Sequence, residues 1–481
     1  MRILLIHPAF LYTEEEYADL RDSMVPVLGA NALAGFLRSE GHEVLVIDPL
    51  YYYLARLGPT ETFDEAVLRI AGVFSPAMIG VSVLSHLRWQ TYDLLTVLRE
   101  NLPECLLLVG GVHVTDGPEA ALAQFRSVAD IIVAGGGELP LRAIASAHGA
   151  RHSCVAVPGV IWAREGCGIS ISSTASATYG APAPSALPDY EQYRLLAGEL
   201  RRVFFVTSQG CPYACRFCST AIRRGMHWSL GPERVIEHVQ HLQRHYGTDE
   251  VCFQDETFFS YRERAKRIFD LMAEKRLGLE RIYVHTTIAS LERDILIAYR
   301  RAGGRQLFVG LESGSMRIRN EMNKPLAQRL TNAEILDRAQ LCRKLGIGLG
   351  LFIIAGWPGE TAADREATEA IVDGIQPDDV HVSVLKLYPG TEIYKQAVRE
   401  GRIEEGCWLG QEPYFTYQGG EEHGVTRLFA EKLEARYRTN LIRKPYEGQG
   451  DRYARLGASH RAGGLLSPVS ARGWAKREAL V

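Results

Sequence analysis

Cysteine is scarce in this chain. Nine residues scattered through 481 are too few for a secreted disulfide scaffold, and an odd count would leave one thiol unpaired. An excess of charge of one sign is also lacking: the formal net charge of -3 gives no general reason to expect nucleic acid or an anionic membrane surface as a partner. No window reaches the roughly 18 apolar residues of a membrane span. The opening MRILLIHPAFLYTEEEYADL turns acidic too early for the apolar core of a signal peptide. Together these absences lead us to expect a protein of the reducing cytoplasm. What is present is ordinary for a globular protein, with 46% hydrophobic and 23% charged residues, and 481 residues exceed what one core serves, so at least two domains are expected.

The first 150 or so residues alternate apolar strands (RILLIHP, HEVLVIDP, AMIGVSVLS, CLLLVGGVHVT, ADIIVAGGGE) with amphipathic helices (GANALAGFLRSEG, WQTYDLLTVLREN, LPLRAIASA). This βαβ pattern predicts a doubly wound, Rossmann-like parallel sheet over residues 1–167, with its ligand over the strand carboxyl ends. Those ends carry His7, Ser82, Ser85, Gly110, Gly111, His113 and the run Gly135 to Glu138. Residues 168–198 begin with a stretch rich in Ser, Thr, Ala, Gly and Pro and read as a linker. From 199 to 418 six further β/α units follow (VFFVTSQG, EVCFQDETFF, RIYVHTTIA, QLFVGLES, GLGLFIIAGWPGE, DVHVSVLKLYPGT). They predict a partial (β/α)6 TIM barrel with its chemistry on the loops after the strands. Residues 419–481 read as a basic extension. From Glu431 it holds eleven Lys/Arg against five Asp/Glu, a composition that suits a partly disordered, solvated tail or a contact to an anionic partner.

After the first barrel strand comes QGCPYACRFCST, which spaces Cys211, Cys215 and Cys218 as C-x3-C-x2-C. A structural zinc site needs four protein ligands, usually as two knuckles, and the chain has no second C-x2-C pair. Three thiolates suit a 4Fe–4S cluster whose fourth iron is left for a small molecule; three buried packing cysteines are the alternative. The other six, Cys105, Cys154, Cys167, Cys252, Cys342 and Cys407, stand singly.

The motif, with Phe217 before its third cysteine, resembles the radical S-adenosylmethionine (SAM) superfamily. FQDETFF, GLESGS with MNKP downstream, AGWPGET and LYPGTEIY resemble blocks of the branch that carries an N-terminal cobalamin-binding domain. VPVLGANALAGFLRSEGHEVLVID and VGGVHVT are similar to that domain, so the likeness runs to about residue 400. The resemblance implies a cluster on the three cysteines and a SAM site at Phe217, Asp255, Glu312, Ser313, Gly356, Pro358 and Gly359. It also implies a cobalamin site at Ser82, Gly110, Gly111, His113, Thr115, Gly135, Gly137 and Glu138. Of the adjacent Asp255 and Glu256, strand alternation lets at most one meet a ligand.

Three departures qualify the likeness. The D-x-H-x-x-G signature, whose histidine replaces the nucleotide base below cobalt, is absent, as is common in this branch. Gly136 stands where the branch has an acidic residue, and Ile288 stands where many relatives carry an arginine suited to the SAM carboxylate; His285 and Arg305 are the candidates to compensate. The expected activity is cobalamin-dependent methylation at an unactivated carbon of a small secondary metabolite, by a substrate radical that takes a methyl group from the corrin. The alternatives are a cobalamin-independent dehydratase or epimerase of a sugar or aminoglycoside-type substrate, and a non-enzymatic cofactor carrier. An electron donor such as flavodoxin or ferredoxin is implied. Tyr283, His285, Thr286, His381 and Lys386 are candidates to face the substrate, without assigned roles.

Overall fold

A computed structural model describes residues 1–8, 26–55, 61–147, 159–162, 189–220, 228–324, 330–412 and 414–437. Its first sheet joins β1 (Arg2–Ile6), β2 (Glu43–Ile47), β3 (Met78–Ser82), β4 (Leu106–Gly110), β5 (Ile131–Val133) and β6 (Val160–Trp162) in the order β2-β1-β3-β4-β5-β6. All pairings are parallel except β5 with β6. The strands are apolar on both faces because helices cover both sides. Along β1, Ile3 and Leu5 join one buried layer and Leu4 and Ile6 the other. Strand order reverses direction between β1 and β3, and a ligand crevice is expected at that switch point.

The HVT of VGGVHVT does not continue β4. Gly111, at φ 108°, turns the chain into a short helix Val112–Asp116. A Cβ at Gly111 would lie 2.8 Å from Val83 O, so the turn demands glycine.

The second sheet contains β7 (Arg202–Phe205), β10 (Glu250–Phe253), β11 (Arg281–Thr287), β12 (Gln306–Glu312), β13 (Gly348–Ala355) and β14 (Asp379–Val384), neighbours in chain order and all parallel. A small hairpin of β8 (Ser208–Gln209) and β9 (Trp228–Ser229) follows β7. This is the open six-unit barrel expected from the alternation. Val203, Val251, Val284, Val309 and Leu351 pack outward under the helices, while Cys252, Tyr283 and Phe308, with Phe204 and Phe352, fill the inside. Capping boxes at Thr62, Thr331 and Thr361 fix the starts of three helices.

Most of the expected linker lies outside the described residues, but its end is a helix, Glu191–Ala197, that stitches the two sheets together. Tyr193 Oη donates to buried Asp48 Oδ2 at 2.8 Å on the first domain, and Tyr190 Oη donates to Phe204 O on the barrel. The extension after 418 also begins as structure. Helix Gly420–Arg436 buries Ala430 and Leu433 in the barrel core, and Glu434 accepts from Val382 N; the basic run beyond 437 lies outside the described residues.

Arg88 is the second clasp. Fully buried, it donates to the carbonyls of Ser85, Trp408, Gly410 and Glu412 at 2.8, 2.7, 2.7 and 2.5 Å and lies over the Trp408 ring. Burial lowers its pKa to about 10, which keeps it charged at neutral pH. Arg88→Ala strands several buried carbonyls and should cost about 2–4 kcal/mol. Chemical denaturation checks this, and limited proteolysis should cut first near 407–415.

Candidate functional site

A cavity of about 570 Å3 opens between the strand ends of the first sheet and the first loops of the barrel. Ser82, Gly110, Gly111, Thr115, Gly135, Gly137 and Glu138 line its sheet side; Ser208, Gln209, Gly210, Gln254 and Glu256 line its barrel side. Thr115 holds the glycine turns together: its hydroxyl donates to Gly111 O at 2.8 Å and accepts from Gly135 N at 2.9 Å. Missing side chains shape the floor. A Cβ on Gly80, inside β3, would lie 3.1 Å from Leu5 Cδ2, and one on Gly137 would lie 3.0 Å from Leu33. Leu5, Leu33, Leu108 and Leu141 thus leave an apolar slot beneath the strand ends.

His113, expected at this site, does not line it. It is fully buried, with Nδ1 3.2 Å from Ser85 Oγ and its ring against Trp408. Gly136 lines the cavity, so the absent carboxylate is absent from the wall itself.

The cysteine loop follows directly on Gly210. It is held in shape by the chain around 320: Arg216 N donates to Met322 O, Asn323 Nδ2 to Ala214 O, and Cys218 N closes a turn on Cys215 O. Cys211, Cys215 and Cys218 are half-buried free thiols; burial, with a smaller contribution from the neighbouring thiols, raises the pKa of Cys211 and Cys215. Burial pushes Cys215 up to about 12, opposed by the nearby Lys324 ammonium. Three unbonded thiols converging on one loop, beside a cation, fit a cluster that needs thiolates.

Lys324 is the residue that sequence reasoning passed over. Its Nζ lies 2.6 Å from Glu312 Oε1, and both groups are buried. Burial disfavours the ammonium, yet Glu312 and the Cys215 and Cys218 thiols raise its pKa above the ordinary lysine value. Glu312 sits at φ 68°, unusual for a side-chain-bearing residue, where β12 shifts register against β13. Such backbone strain is typical of functional sites. Gly310 makes the room: a Cβ there would stand 2.6 Å from Glu312 Oε1 and 2.8 Å from Lys324 Nζ.

The remaining expected SAM residues separate into two groups. Phe217 joins a buried cluster with Trp357, Ile354 and Met322, so the loop Gly356–Pro358–Gly359 comes to lie beside the cysteine motif. Gly356 (φ 84°) and Gly359 (φ 69°) make that turn possible, and Gly356 N is tied to Glu360 Oε2 at 2.8 Å. Asp255 and Ser313 face elsewhere. Asp255 is buried and accepts from Thr207 N, Thr207 Oγ1 and Ser208 Oγ at 2.7, 2.6 and 2.5 Å, so it fixes the loop while Glu256 faces the cavity. Ser313 is buried against Thr368 and caps Ser315 N.

Of the candidates for replacing the arginine absent at Ile288, Arg305 is exposed at the start of β12, the far end of the barrel. His285 packs between Phe308 and Phe352 inside it. His381 stacks on Phe352 with Nε2 3.0 Å from Asp379, Lys386 lies over Tyr414, and Thr286 shares the outward parity of Val284. Gly80→Val should fill the slot and abolish corrin retention while leaving iron and sulfide content unchanged, read by metal analysis and absorption after anaerobic purification.

Comparison with known proteins places these features in families. Residues 205–371 match the Radical SAM superfamily and residues 20–145 the B12 binding domain. An uncharacterized methyltransferase of Pyrococcus horikoshii is 27% identical over 421 residues, 85% of each chain. Hopanoid C-3 methylase of Methylococcus capsulatus is 24% identical over 83% of this chain and 73% of its own. Among solved structures, the radical SAM methyltransferase TsrM of Kitasatospora setae, with cobalamin and a [4Fe-4S] cluster, superposes with a TM-score of 0.67 at 19% identity, over 83% of this chain and 78% of that one. The cobalamin-dependent radical enzyme OxsB gives 0.67 at 15% identity, over 96% and 71%. At these identities the structural likenesses carry the fold. No helix among the described residues is long and apolar enough to cross a membrane.

Proposed function

Because this chain belongs to the radical SAM superfamily and carries a B12-binding domain before its barrel, we propose that it is a cobalamin-dependent C-methyltransferase acting on a small secondary metabolite. The observation that carries this reading is the single cavity whose walls are the glycine turns of the first sheet on one side and the loop leading into the cysteines on the other. A corrin held on the glycine turns would face the loop that leads into the cysteine motif. Two of the relatives, the methyltransferase of Pyrococcus horikoshii and the hopanoid C-3 methylase of Methylococcus capsulatus, support the reaction type.

When bound, the cluster supplies the electron that cleaves SAM to the 5′-deoxyadenosyl radical, and the corrin carries the methyl group. The chain's own residues do the rest. Cys211, Cys215 and Cys218 would ligate three irons and leave one for the amino-acid end of SAM. Glu312 and Lys324 form a buried pair complementary to an α-ammonium and an α-carboxylate, so Lys324 supplies the cation that Ile288 lacks. Phe217 and the Gly356–Gly359 turn offer an apolar wall and close backbone approach for an aromatic base. The Asp255 network holds Thr207 and Ser208 rigid at the mouth. Aromatic side chains filling the barrel interior keep water from reaching the radical from below. A small soluble donor such as a flavodoxin or ferredoxin would deliver electrons, and such a cluster requires a reducing compartment such as the cytoplasm.

The test is anaerobic incubation of the cobalamin-loaded protein with reductant and SAM bearing a labelled methyl group. S-adenosylhomocysteine in an amount set by bound corrin, together with 5′-deoxyadenosine, is expected. 5′-Deoxyadenosine alone, indifferent to cobalamin, would replace methyl transfer by dehydration or epimerisation. Neither product would indicate a carrier.

A further inference from the structure

His7 is the residue immediately after β1, on one side of the β1/β3 switch point, and its backbone N–H donates to Ile47 O at 2.9 Å. Its side chain lines the cavity but is only 5% exposed. Nδ1 has no hydrogen-bond partner among the described residues. A buried polar nitrogen without a partner costs stability unless a ligand satisfies it. The ring is also in the right form to ligate: burial lowers its pKa to about 4, so at neutral pH it is an uncharged imidazole with a free lone pair. Gly80 on the adjacent β3 and Gly110 on β4 beyond it line the same cavity and bring no side chain into it. The cavity's other histidine, His238, has both ring nitrogens buried and likewise without a partner among the described residues, but it stands on the barrel wall. Among the described residues, His7 is thus the one imidazole lining the sheet side.

We infer that His7 is the axial nitrogen ligand to cobalt from the sheet side, displacing the corrin's own nucleotide base. This rests on the cobalamin reading above and assigns it a ligand that the absent D-x-H-x-x-G signature would otherwise leave unfilled. Imidazole nitrogen is a suitable donor for a first-row metal of this kind. The displaced nucleotide tail then has a place to go, the apolar slot of Leu5, Leu33, Leu108 and Leu141.

The experiment uses the full chain grown on nitrogen-15 histidine, loaded with hydroxocobalamin and reduced anaerobically to the cob(II) state for electron paramagnetic resonance. Each cobalt line is expected to split into a doublet in labelled protein and a triplet in unlabelled protein. His7→Ala should lose the label-sensitive splitting while keeping the corrin, and His86→Ala should retain it. Bound corrin whose triplet ignores the label would mean that the nucleotide base is the ligand, and bound corrin without nitrogen splitting would mean water or no ligand; either overturns the assignment. Label-sensitive splitting that survives in His7→Ala also overturns it. Failure to retain any corrin would overturn the cobalamin reading itself.

Discussion

Cys215→Ala is expected to abolish SAM cleavage, with 5′-deoxyadenosine falling by at least about a thousandfold, as loss of an essential metal centre does. Cys215 is half-buried like the other two thiols and is flanked by Lys324 and Glu312. Its loss removes a cluster ligand and opens a gap beside that ion pair. The fold should persist, because hydrogen bonds from Arg216 to Met322 and from Asn323 to Ala214 also hold the loop. Circular dichroism close to wild type, with cluster absorption and iron content lost, is the expected pair of results. A variant that keeps its iron would return the cysteines to a packing role. Corrin binding should survive, since the residues lining the sheet side belong to the first domain.

Lys324→Met should have the second largest effect, and it separates two contributions. Removing one member of a buried ion pair leaves Glu312 uncompensated, which costs about 3–5 kcal/mol of stability. The same change should weaken SAM binding by roughly 30- to 100-fold, the value of one charge-assisted contact. The double variant Glu312→Gln/Lys324→Met should recover most of the stability while SAM binding stays weak, measured by equilibrium dialysis on the reconstituted protein. If binding recovers with stability, the pair is structural and the SAM carboxylate is held elsewhere. Gly310→Ala serves as a steric check, because its Cβ would stand 2.6 Å from Glu312 Oε1; it should disturb the same pair without removing a charge.

Both sheets and the cysteine loop were legible because their signals are local. Alternation of apolar strands with amphipathic helices yields parallel sheets wherever both faces are covered, and C-x3-C-x2-C places three thiols on one short loop regardless of what surrounds it. The places where reading and structure part are set by longer-range geometry. Adjacent residues after a strand point in opposite directions, but only the position of Thr207 and Ser208 decides that Asp255 is the one turned away. His113 follows a turn that converts an apparent strand into a helix, which carries its ring toward Trp408. Lys324 was visible in MNKP, yet nothing in its local pattern shows that the short helix Met316–Glu321 folds the chain back onto the cysteine loop. Arg305, plausible by type, is excluded by sitting at the start of its strand rather than the end.

The most direct measurement is cofactor content after anaerobic purification from cells supplied with cobalamin, with iron, sulfide and corrin determined on the same sample. About one 4Fe–4S cluster and one corrin per chain is the predicted result, since the loop Ser208–Gly210 that walls one side of the glycine-lined cavity runs directly into the cysteine motif. A full cluster with no corrin, despite supplied cobalamin, would contradict the account and leave the glycine-lined space to a substrate.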